Sequence, residues 1–369
     1  MSFMNPVYEE LRKKLDHLSF GFPATEEGYE YAVLMSRFDE TDAEYAVALS
    51  VEKFDSPAEL AERMGKDEGV VAEQLEKMVA KGLIYFNRTE GGRVYKFMPW
   101  IFGIMEFQTG IGNRDPEYQG IMNDYIGHAF GYGMWGNDTP LFRYVPVNSE
   151  LVSGNEILPN DDAMNLIDCK DPDHIALLPC PCREIERTLG NPCKHEGFEE
   201  TCLWFNEWAD FWVDRGDGKY ITPEEAKDLL RKAEKEGLLI ETINNEITHS
   251  DCMCMCCTCC CGPMRMLKNF PDPARKNAGN YYIKKQDDKC TVCGTCVERC
   301  PMDAMIKADE TVIHDPAKCV GCGICVSTCE GDALTLHRKP DDLYNKADIP
   351  TIDELHVQLQ KEYRARVGE

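Results

Sequence analysis

The first hundred residues carry apolar positions at helical spacing, separated by short polar connections. Amphipathic patterns predict helices over residues 39–50, 56–65 and 67–81. The second begins with a capping-box sequence, S-P-A-E, which has proline at the first helical position. One face of the third helix carries five apolar residues, Val70, Val71, Leu75, Met78 and Val79. The pattern therefore predicts three consecutive helices.

Two runs of β-branched and aromatic residues follow these helices, at 83–86 and 94–97. They flank a Glu-Gly-Gly turn and predict a β-hairpin. Three helices and a hairpin predict a winged helix within a first domain, residues 1–105. The helix that would contact DNA carries four acidic residues against three lysines, in and beside it. Because a phosphate-facing helix should be basic, we expect protein docking or a scaffold role and no nucleic-acid partner.

A predicted middle domain, residues 106–278, contains one pattern twice. A helix at 159–167 and a strand at 175–178 precede a first group of cysteines. A helix at 222–235 and a strand at 238–242 precede a second group. The repeated order predicts two strands side by side that deliver thiols to one end of a sheet.

The composition excludes several classes of function. The formal net charge of the 369-residue chain is −25. Such a charge disfavours nucleic acid and anionic membrane, and it favours a redox partner with a basic docking patch. We expect no membrane span, because the sequence has no run of about eighteen apolar residues. We expect no secretory signal, because the first residues show no basic segment followed by an apolar one. Twenty cysteines in such a chain predict reduced thiols in the cytoplasm rather than disulfides.

The most specific pattern lies in a predicted domain at residues 279–338. Two runs with the spacing C-x2-C-x2-C-x3-C follow one another. Their members are Cys290, Cys293, Cys296 and Cys300, then Cys319, Cys322, Cys325 and Cys329. Zinc sites and free thiols are the alternatives, but zinc motifs usually pair two cysteines with a second pair much further along. The spacing favours iron–sulfur clusters, which take three thiolates from a tight loop and a fourth from elsewhere.

The two runs resemble those of the bacterial two-cluster ferredoxins, in which the fourth cysteine of each run binds the other cluster. The resemblance implies two [4Fe–4S] clusters and, because exposed clusters tolerate oxygen poorly, an anaerobic host. One cluster would be held by Cys290, Cys293, Cys296 and Cys329, and the other by Cys319, Cys322, Cys325 and Cys300. Glu330 stands after the last cysteine, where the first run has Pro301. Because this residue places negative charge beside the cluster bound through Cys329, we predict a lower reduction potential for that cluster.

A second set of cysteines precedes these runs: Cys180, Cys182, Cys193, Cys202, Cys252, Cys254, Cys256, Cys257, Cys259, Cys260 and Cys261. A subset would suffice for one or two more metal sites. A further iron–sulfur cluster, a structural zinc, and free or redox-active thiols are all open interpretations. The neighbouring cluster motifs favour the first, as an extension of an electron wire. Arg183 is predicted to offset cluster charge, whereas His195 and His249 are predicted not to be ligands.

Three segments together resemble a group of ferredoxin-type iron–sulfur proteins of anaerobes. They are residues 178–183 (L-P-C-P-C-R), 256–260 (C-C-T-C-C) and 290–329. The resemblance implies an electron-transfer component of a larger oxidoreductase, and it does not indicate a reaction.

The predicted fold class is α+β. It comprises an N-terminal winged helix, a mixed cysteine-rich middle domain, a C-terminal two-cluster ferredoxin fold and a charged tail at 339–369 with a helix at 351–366. Single-electron transfer at low potential is the leading function. A metal-dependent redox enzyme acting at the second cysteine set and a redox-sensing winged-helix regulator are the alternatives. No P-loop, dinucleotide-binding or Ser/His/Asp pattern identifies catalytic residues, and the sequence does not indicate the donor, the acceptor or the oligomeric state.

Overall fold

Helices and strands are both abundant, which confirms the predicted α+β class. The computed structural model describes residues 5–147, 162–246, 250–340 and 349–368. The α-helices are α1 (Pro6–Asp16), α2 (Tyr29–Arg37), α3 (Glu40–Ala48), α4 (Pro57–Met64), α5 (Glu68–Ala80), α6 (Met105–Phe107), α7 (Pro116–Tyr125), α8 (Gly131–Gly136), α9 (Ala163–Asp168), α10 (Pro181–Thr188), α11 (Asn206–Arg215), α12 (Pro223–Glu236), α13 (Gly262–Asn269), α14 (Thr295–Arg299) and α15 (Ile352–Val367). The strands are β1 (Tyr85–Thr89), β2 (Gly92–Lys96), β3 (Phe142–Tyr144), β4 (Ile175–Pro179), β5 (Glu200–Phe205), β6 (Lys219–Tyr220), β7 (Leu239–Ile243), β8 (Cys252–Cys256), β9 (Tyr281–Lys285), β10 (Met305–Lys307), β11 (Val312–His314) and β12 (Leu334–Arg338).

A six-stranded antiparallel sheet forms the centre of the fold, with the strand order β3-β7-β8-β5-β4-β6. The two strands predicted from the repeated pattern, β4 and β7, both belong to it. They are not neighbours, however, because β5 and β8 lie between them. The prediction of two adjacent strands was wrong because it overlooked β5 and β8, each of which carries cysteines itself.

The two faces of this sheet pack against different layers. Leu203, Met253 and Ile240 point to one face and join a core with α9 and α12. The opposite face carries Trp204 and the cysteines of β8, and it packs against the N-terminal helices in the largest core of the described residues. The alternation is the ordinary period-two geometry of a strand buried on both sides.

The N-terminal elements lie at the predicted positions, as α3, α4 and α5 followed by the β1–β2 hairpin. The capping box at Ser56 and Glu59 is formed at the start of α4. Four of the five apolar residues predicted to share a face of α5 are buried, but Val70 is 56% exposed. The next residue, Val71, is already fully buried, so Val70 is exposed because it lies about 100° around the helix from Val71, outside the arc of the four buried residues. The hairpin packs on α11, and Tyr85 stacks on Trp208 with ring centroids 4.4 Å apart.

The last helix is attached to the beginning of the chain. The predicted helix at 351–366 is formed as α15, and its buried residues Ile352, Leu355 and Leu359 join the same core as α1. His356 Nδ1 lies 2.8 Å from the Ser19 hydroxyl in a buried contact. The predicted helix at 159–167 is formed in part, as α9, and its first residues, 159–161, lie outside the described residues.

The predicted cluster domain contains two short antiparallel pairs, β9 with β12 and β10 with β11. It packs directly on the middle region, since Asn277 donates a 2.9 Å hydrogen bond to the carbonyl of Val320. Arg299 also donates to the backbone carbonyls of Glu234 and Lys235 at the end of α12. No helix in the described part of the chain is long and apolar enough to cross a membrane.

Candidate metal centres of the cysteine-rich regions

The two cysteine runs of the C-terminal region, hereafter the dicluster module, have matching backbones. In each run the residue two positions after the first cysteine is left-handed, Val292 with φ 56° and Gly321 with φ 70°. Gly294 and Gly323, which follow the second cysteine, are left-handed as well. Left-handed residues curl the chain and direct successive amides to one side, a conformation suited to anionic ligands. At Gly321 a Cβ would lie 2.0 Å from the Tyr281 carbonyl oxygen, so only glycine fits.

The fourth cysteine of each run receives an equivalent hydrogen bond. The amide of Ala304 donates to Cys300 Sγ at 3.2 Å, and the amide of Ala333 donates to Cys329 Sγ at 3.3 Å. Asp303 and Asp332, one residue earlier, are both left-handed. Donors of this kind stabilise a thiolate bound to a cluster.

Two cavities of similar size lie between the halves of the module. Each is lined by three cysteines of one run and the fourth cysteine of the other. The first set is Cys290, Cys293, Cys296 and Cys329, and the second is Cys319, Cys322, Cys325 and Cys300. Soft thiol donors on all sides suit a [4Fe–4S] cluster in each cavity.

The two cavities differ in exposure, so we call them the outer and the inner cavity. Cys293 of the outer cavity is exposed, and the Thr295 hydroxyl lowers the pKa of its thiol, while negative charge on Glu330 acts in the opposite direction. Cys325 of the inner cavity is buried, and burial raises the pKa of Cys322 and Cys325. The outer cavity therefore faces solvent and the inner cavity faces the middle region.

The sheet collects seven cysteines of the second set on and beside one face, which we call the thiol face: Cys180, Cys182, Cys202, Cys252, Cys254, Cys256 and Cys261. Strand β8 reads C-M-C-M-C, so its three cysteines share this face and its methionines occupy the other. The cross-strand partner of Cys254 is Cys202, and their sulfurs are 3.9 Å apart. All seven are packed in a continuous chain of neighbouring thiols.

Two buried carboxyl groups accompany the thiol face. Cys256 Sγ donates to Glu241 Oε2 at 3.1 Å, and Cys261 Sγ lies 3.8 Å from the same oxygen. Burial and, to a smaller extent, negative charge on Cys254 raise the pKa of Glu241 to about 8. Burial also raises the pKa of Glu106 to about 8. Glu241, Cys256 and Cys261 lie close enough together to bind one metal ion.

The remaining four cysteines of the second set form a separate group, hereafter the tetrad: Cys193, Cys257, Cys259 and Cys260. The tetrad lies against the core on the methionine side of the sheet. Its sulfur atoms all lie within 4.8 Å of one another. Hydrogen bonding from Cys260, together with the charge of Arg183, lowers the pKa of Cys257 to about 4. The sequence indicated one set of eleven cysteines, whereas in the structure they belong to two groups, the thiol face and the tetrad.

Arg183 lies between the two groups. Its Nε donates to Cys193 Sγ at 3.3 Å, and its Nη2 donates to the Met255 carbonyl at 3.1 Å. The guanidinium is 2% exposed, and negative charge on Cys180 and Cys257 helps to keep its pKa high despite burial. His195 contacts Glu236 rather than a sulfur, at 2.9 Å. His249 lies outside the described residues.

One buried tyrosine connects the thiol face with the inner cavity. Tyr144 is the cross-strand partner of Glu241. Burial raises the pKa of Tyr144 well above its usual value, and negative charges on Glu241, on two thiol-face cysteines and on Cys322 raise it further. Its hydroxyl has no hydrogen-bond partner among the described residues. The phenol therefore stands within electrostatic range of both groups.

Sequence reasoning missed Glu241 and Tyr144. Glu241 had a recognisable signal, because it is a carboxylate inside the otherwise apolar strand predicted at 238–242. The C-M-C-M-C alternation likewise indicates a strand with thiols on one face. Tyr144 had none, since its role depends on the pairing of β3 with β7.

Comparisons with known proteins bear on the module alone. Residues 282–330 match the family of 4Fe-4S dicluster domains. No curated protein and no solved structure matches the chain. The match covers both cysteine runs up to Glu330, and with the two cysteine-lined cavities it supports iron–sulfur electron transfer.

Proposed function

We propose that this chain is an iron–sulfur electron-transfer protein or subunit that relays single low-potential electrons within a larger oxidoreductase system. The observation that carries the proposal is the pair of cavities, each lined by four cysteines, within the region that matches a 4Fe-4S dicluster domain. Clusters bound there supply one-electron chemistry. The protein supplies the thiolates, the amide donors and the exclusion of water.

The proposed path for electrons runs from the outer cavity inward. Cys293 of the outer cavity is exposed, where a partner protein can approach, whereas Cys325 of the inner cavity is buried. Tyr144 is within electrostatic range of both the inner cavity and the thiol face. We infer that the thiol face holds an additional iron–sulfur cluster that extends this path, with Cys180, Cys182, Cys254, Cys256 and Cys261 as candidate ligands. Cys256 and Cys261 are buried and the other three are half-buried, which limits contact with water and favours transfer over reaction with water.

The partner for this transfer would be a redox protein with a basic docking patch, because the formal net charge of the chain is −25. The N-terminal helices and hairpin, in a domain at 1–105, would serve as a winged-helix-like docking unit or scaffold. The basic residues of this unit are already paired, as Lys77 is with Glu73 and Arg93 is with Glu76. These pairs favour docking over DNA binding and therefore speak against a regulator.

Anaerobic purification followed by iron, acid-labile sulfide and zinc analysis tests the proposal. We expect at least about eight iron and eight sulfide per chain, from two [4Fe–4S] clusters. Dithionite should bleach the visible absorbance, and an oxidised low-potential acceptor should restore it in single-electron steps. A chain without iron and sulfide, or with clusters that cannot be reduced and reoxidised, would contradict the proposal.

Glu330 provides a prediction about the outer cavity. We expect Glu330→Gln to raise the reduction potential of the outer cluster by roughly a few tens of millivolts, because an exposed negative charge near Cys293 is removed. The inner cluster should change less. A redox titration followed by electron paramagnetic resonance measures both potentials, and Glu68→Gln on α5, outside the module, is the matched control for loss of one exposed charge. Equal potentials in the parent and both variants would contradict the prediction.

A metal-dependent redox enzyme is the second candidate, and Glu241 favours it. A carboxylate among thiols is a ligand that a substrate can displace more readily than a thiolate. A cavity is lined by Cys182 of the thiol face and Cys260 of the tetrad, together with Met105, Phe130 and Arg265. Binding of cyanide to a reduced centre, with a spectral shift that Glu241→Cys abolishes, would favour this candidate over simple relay.

A further inference from the structure

The tetrad has the dimensions of a mononuclear metal site. Cys193 Sγ lies 3.7 Å from both Cys257 Sγ and Cys259 Sγ. The distance from Cys259 Sγ to Cys257 Sγ is 3.1 Å, and that to Cys260 Sγ is 3.8 Å. Four sulfurs bound to one tetrahedral zinc at about 2.3 Å lie about 3.8 Å apart. The tetrad therefore needs little movement to close around a single ion.

The dicluster module provides an internal comparison. In a cubane each thiolate binds a different iron, so the four sulfurs are spread around a larger object. Accordingly, among the described residues no three of the eight module cysteines bring their sulfurs within 4.8 Å of one another, whereas all four sulfurs of the tetrad do. The sulfurs of the module cysteines are therefore spaced as expected for cluster sites, and those of the tetrad are spaced as expected for a single-ion site.

Arg183 adds a second, independent observation. It is 2% exposed, and its partners are the Thr201 hydroxyl, the Met255 carbonyl and the sulfurs of Cys193 and Cys257. No carboxylate among the described residues forms an ion pair with it. A buried guanidinium needs anionic partners, and four thiolates around a divalent ion retain negative charge that it can offset.

We propose that the tetrad binds one structural zinc ion, distinct from every iron–sulfur cluster of the chain. All four positions are filled by thiolates, so no position remains open for water or substrate. The ion would tie the irregular segment 189–199, between α10 and β5, to the turn that follows β8. Closing this loop through a metal would stabilise the edge of the thiol face. The ion itself would take no part in electron transfer.

Metal analysis of the full chain, purified anaerobically, tests the assignment. We expect about one zinc per chain. Cys193→Ala and Cys259→Ala should each lose it while iron and acid-labile sulfide stay at the parent level. Cys169→Ala removes an exposed cysteine outside both groups and should keep zinc, iron and sulfide unchanged.

Three results would overturn the assignment. Loss of iron and sulfide together in the Cys193 and Cys259 variants would mean that the tetrad holds a cluster. Unchanged zinc in both variants would mean that the zinc ion binds elsewhere in the chain. One iron ion without sulfide at the tetrad would mean that this site holds iron instead of zinc. Should the variants fail to fold, zinc-edge X-ray absorption of the parent chain decides, since the proposal requires four sulfur ligands at about 2.3 Å.

Discussion

Cys329→Ala should remove about four irons from the protein, and Cys300→Ala should do the same, because each leaves one cluster with three thiolates. The informative experiment is a pair of double variants. If Cys329 serves the outer cavity, Cys290→Ala combined with Cys329→Ala damages one cluster and loses about four irons. Combined with Cys300→Ala instead, Cys290→Ala damages both clusters and loses about eight irons.

The opposite result has a definite meaning. If each run binds its own cluster, the two double variants exchange their outcomes, and the crossed arrangement of the module is wrong. Iron and sulfide counts with electron paramagnetic resonance of the reduced protein distinguish the cases. Cys169→Ala is the control, because it lies in neither cavity and should retain all the iron.

Trp204→Ala should destabilise the protein by about 3–5 kcal/mol. Trp204 is 1% exposed and lies on β5, on the same face as the cysteines. Its ring is 4.9 Å from that of Trp208 and 6.3 Å from that of Phe102, so it joins the sheet to the N-terminal region. Removing the indole leaves a cavity at this junction, which the surrounding helices fill only partly.

Anaerobic urea unfolding followed by far-ultraviolet circular dichroism measures this loss. Trp204→Phe is the matched control, since it keeps most of the packing and removes the 3.2 Å hydrogen bond from Nε1 to Cys202 Sγ. We expect it to cost about 1 kcal/mol from that bond, in addition to a smaller packing loss. If the alanine and phenylalanine variants were equally stable, the ring would not join the two layers.

Local signals predicted much of the N-terminal region. The capping box at Ser56, the apolar face of α5 and the turn between β1 and β2 each depend on a few consecutive residues. Such features can be inferred from a sequence because their physical causes are local. Val70 shows the limit, since only packing decides whether an apolar residue of the first helical turn meets the core.

The second cysteine set was harder to interpret because its organisation depends on the sheet. Cys202 and Cys254 meet only because β5 pairs with β8, across an interval that contains two helices. Nothing in the sequence specifies this pairing. Likewise, Cys193 belongs to the tetrad and Cys202 to the thiol face because the two groups lie on opposite faces of the same sheet. Long-range register of this kind cannot be read from spacing alone.

The crossed lining of the two cavities has a consequence for biosynthesis. The last cysteine needed for the outer cavity, Cys329, is translated well after the first three, and Cys300 of the inner cavity precedes its three companions. On the ribosome, neither cavity has all four of its cysteines until Cys325 has emerged, and the outer cavity must wait for Cys329. A cellular iron–sulfur carrier would therefore have to deliver its cargo after both halves of the module are made, and a chain that ends before Cys325 would lack a ligand for each cluster.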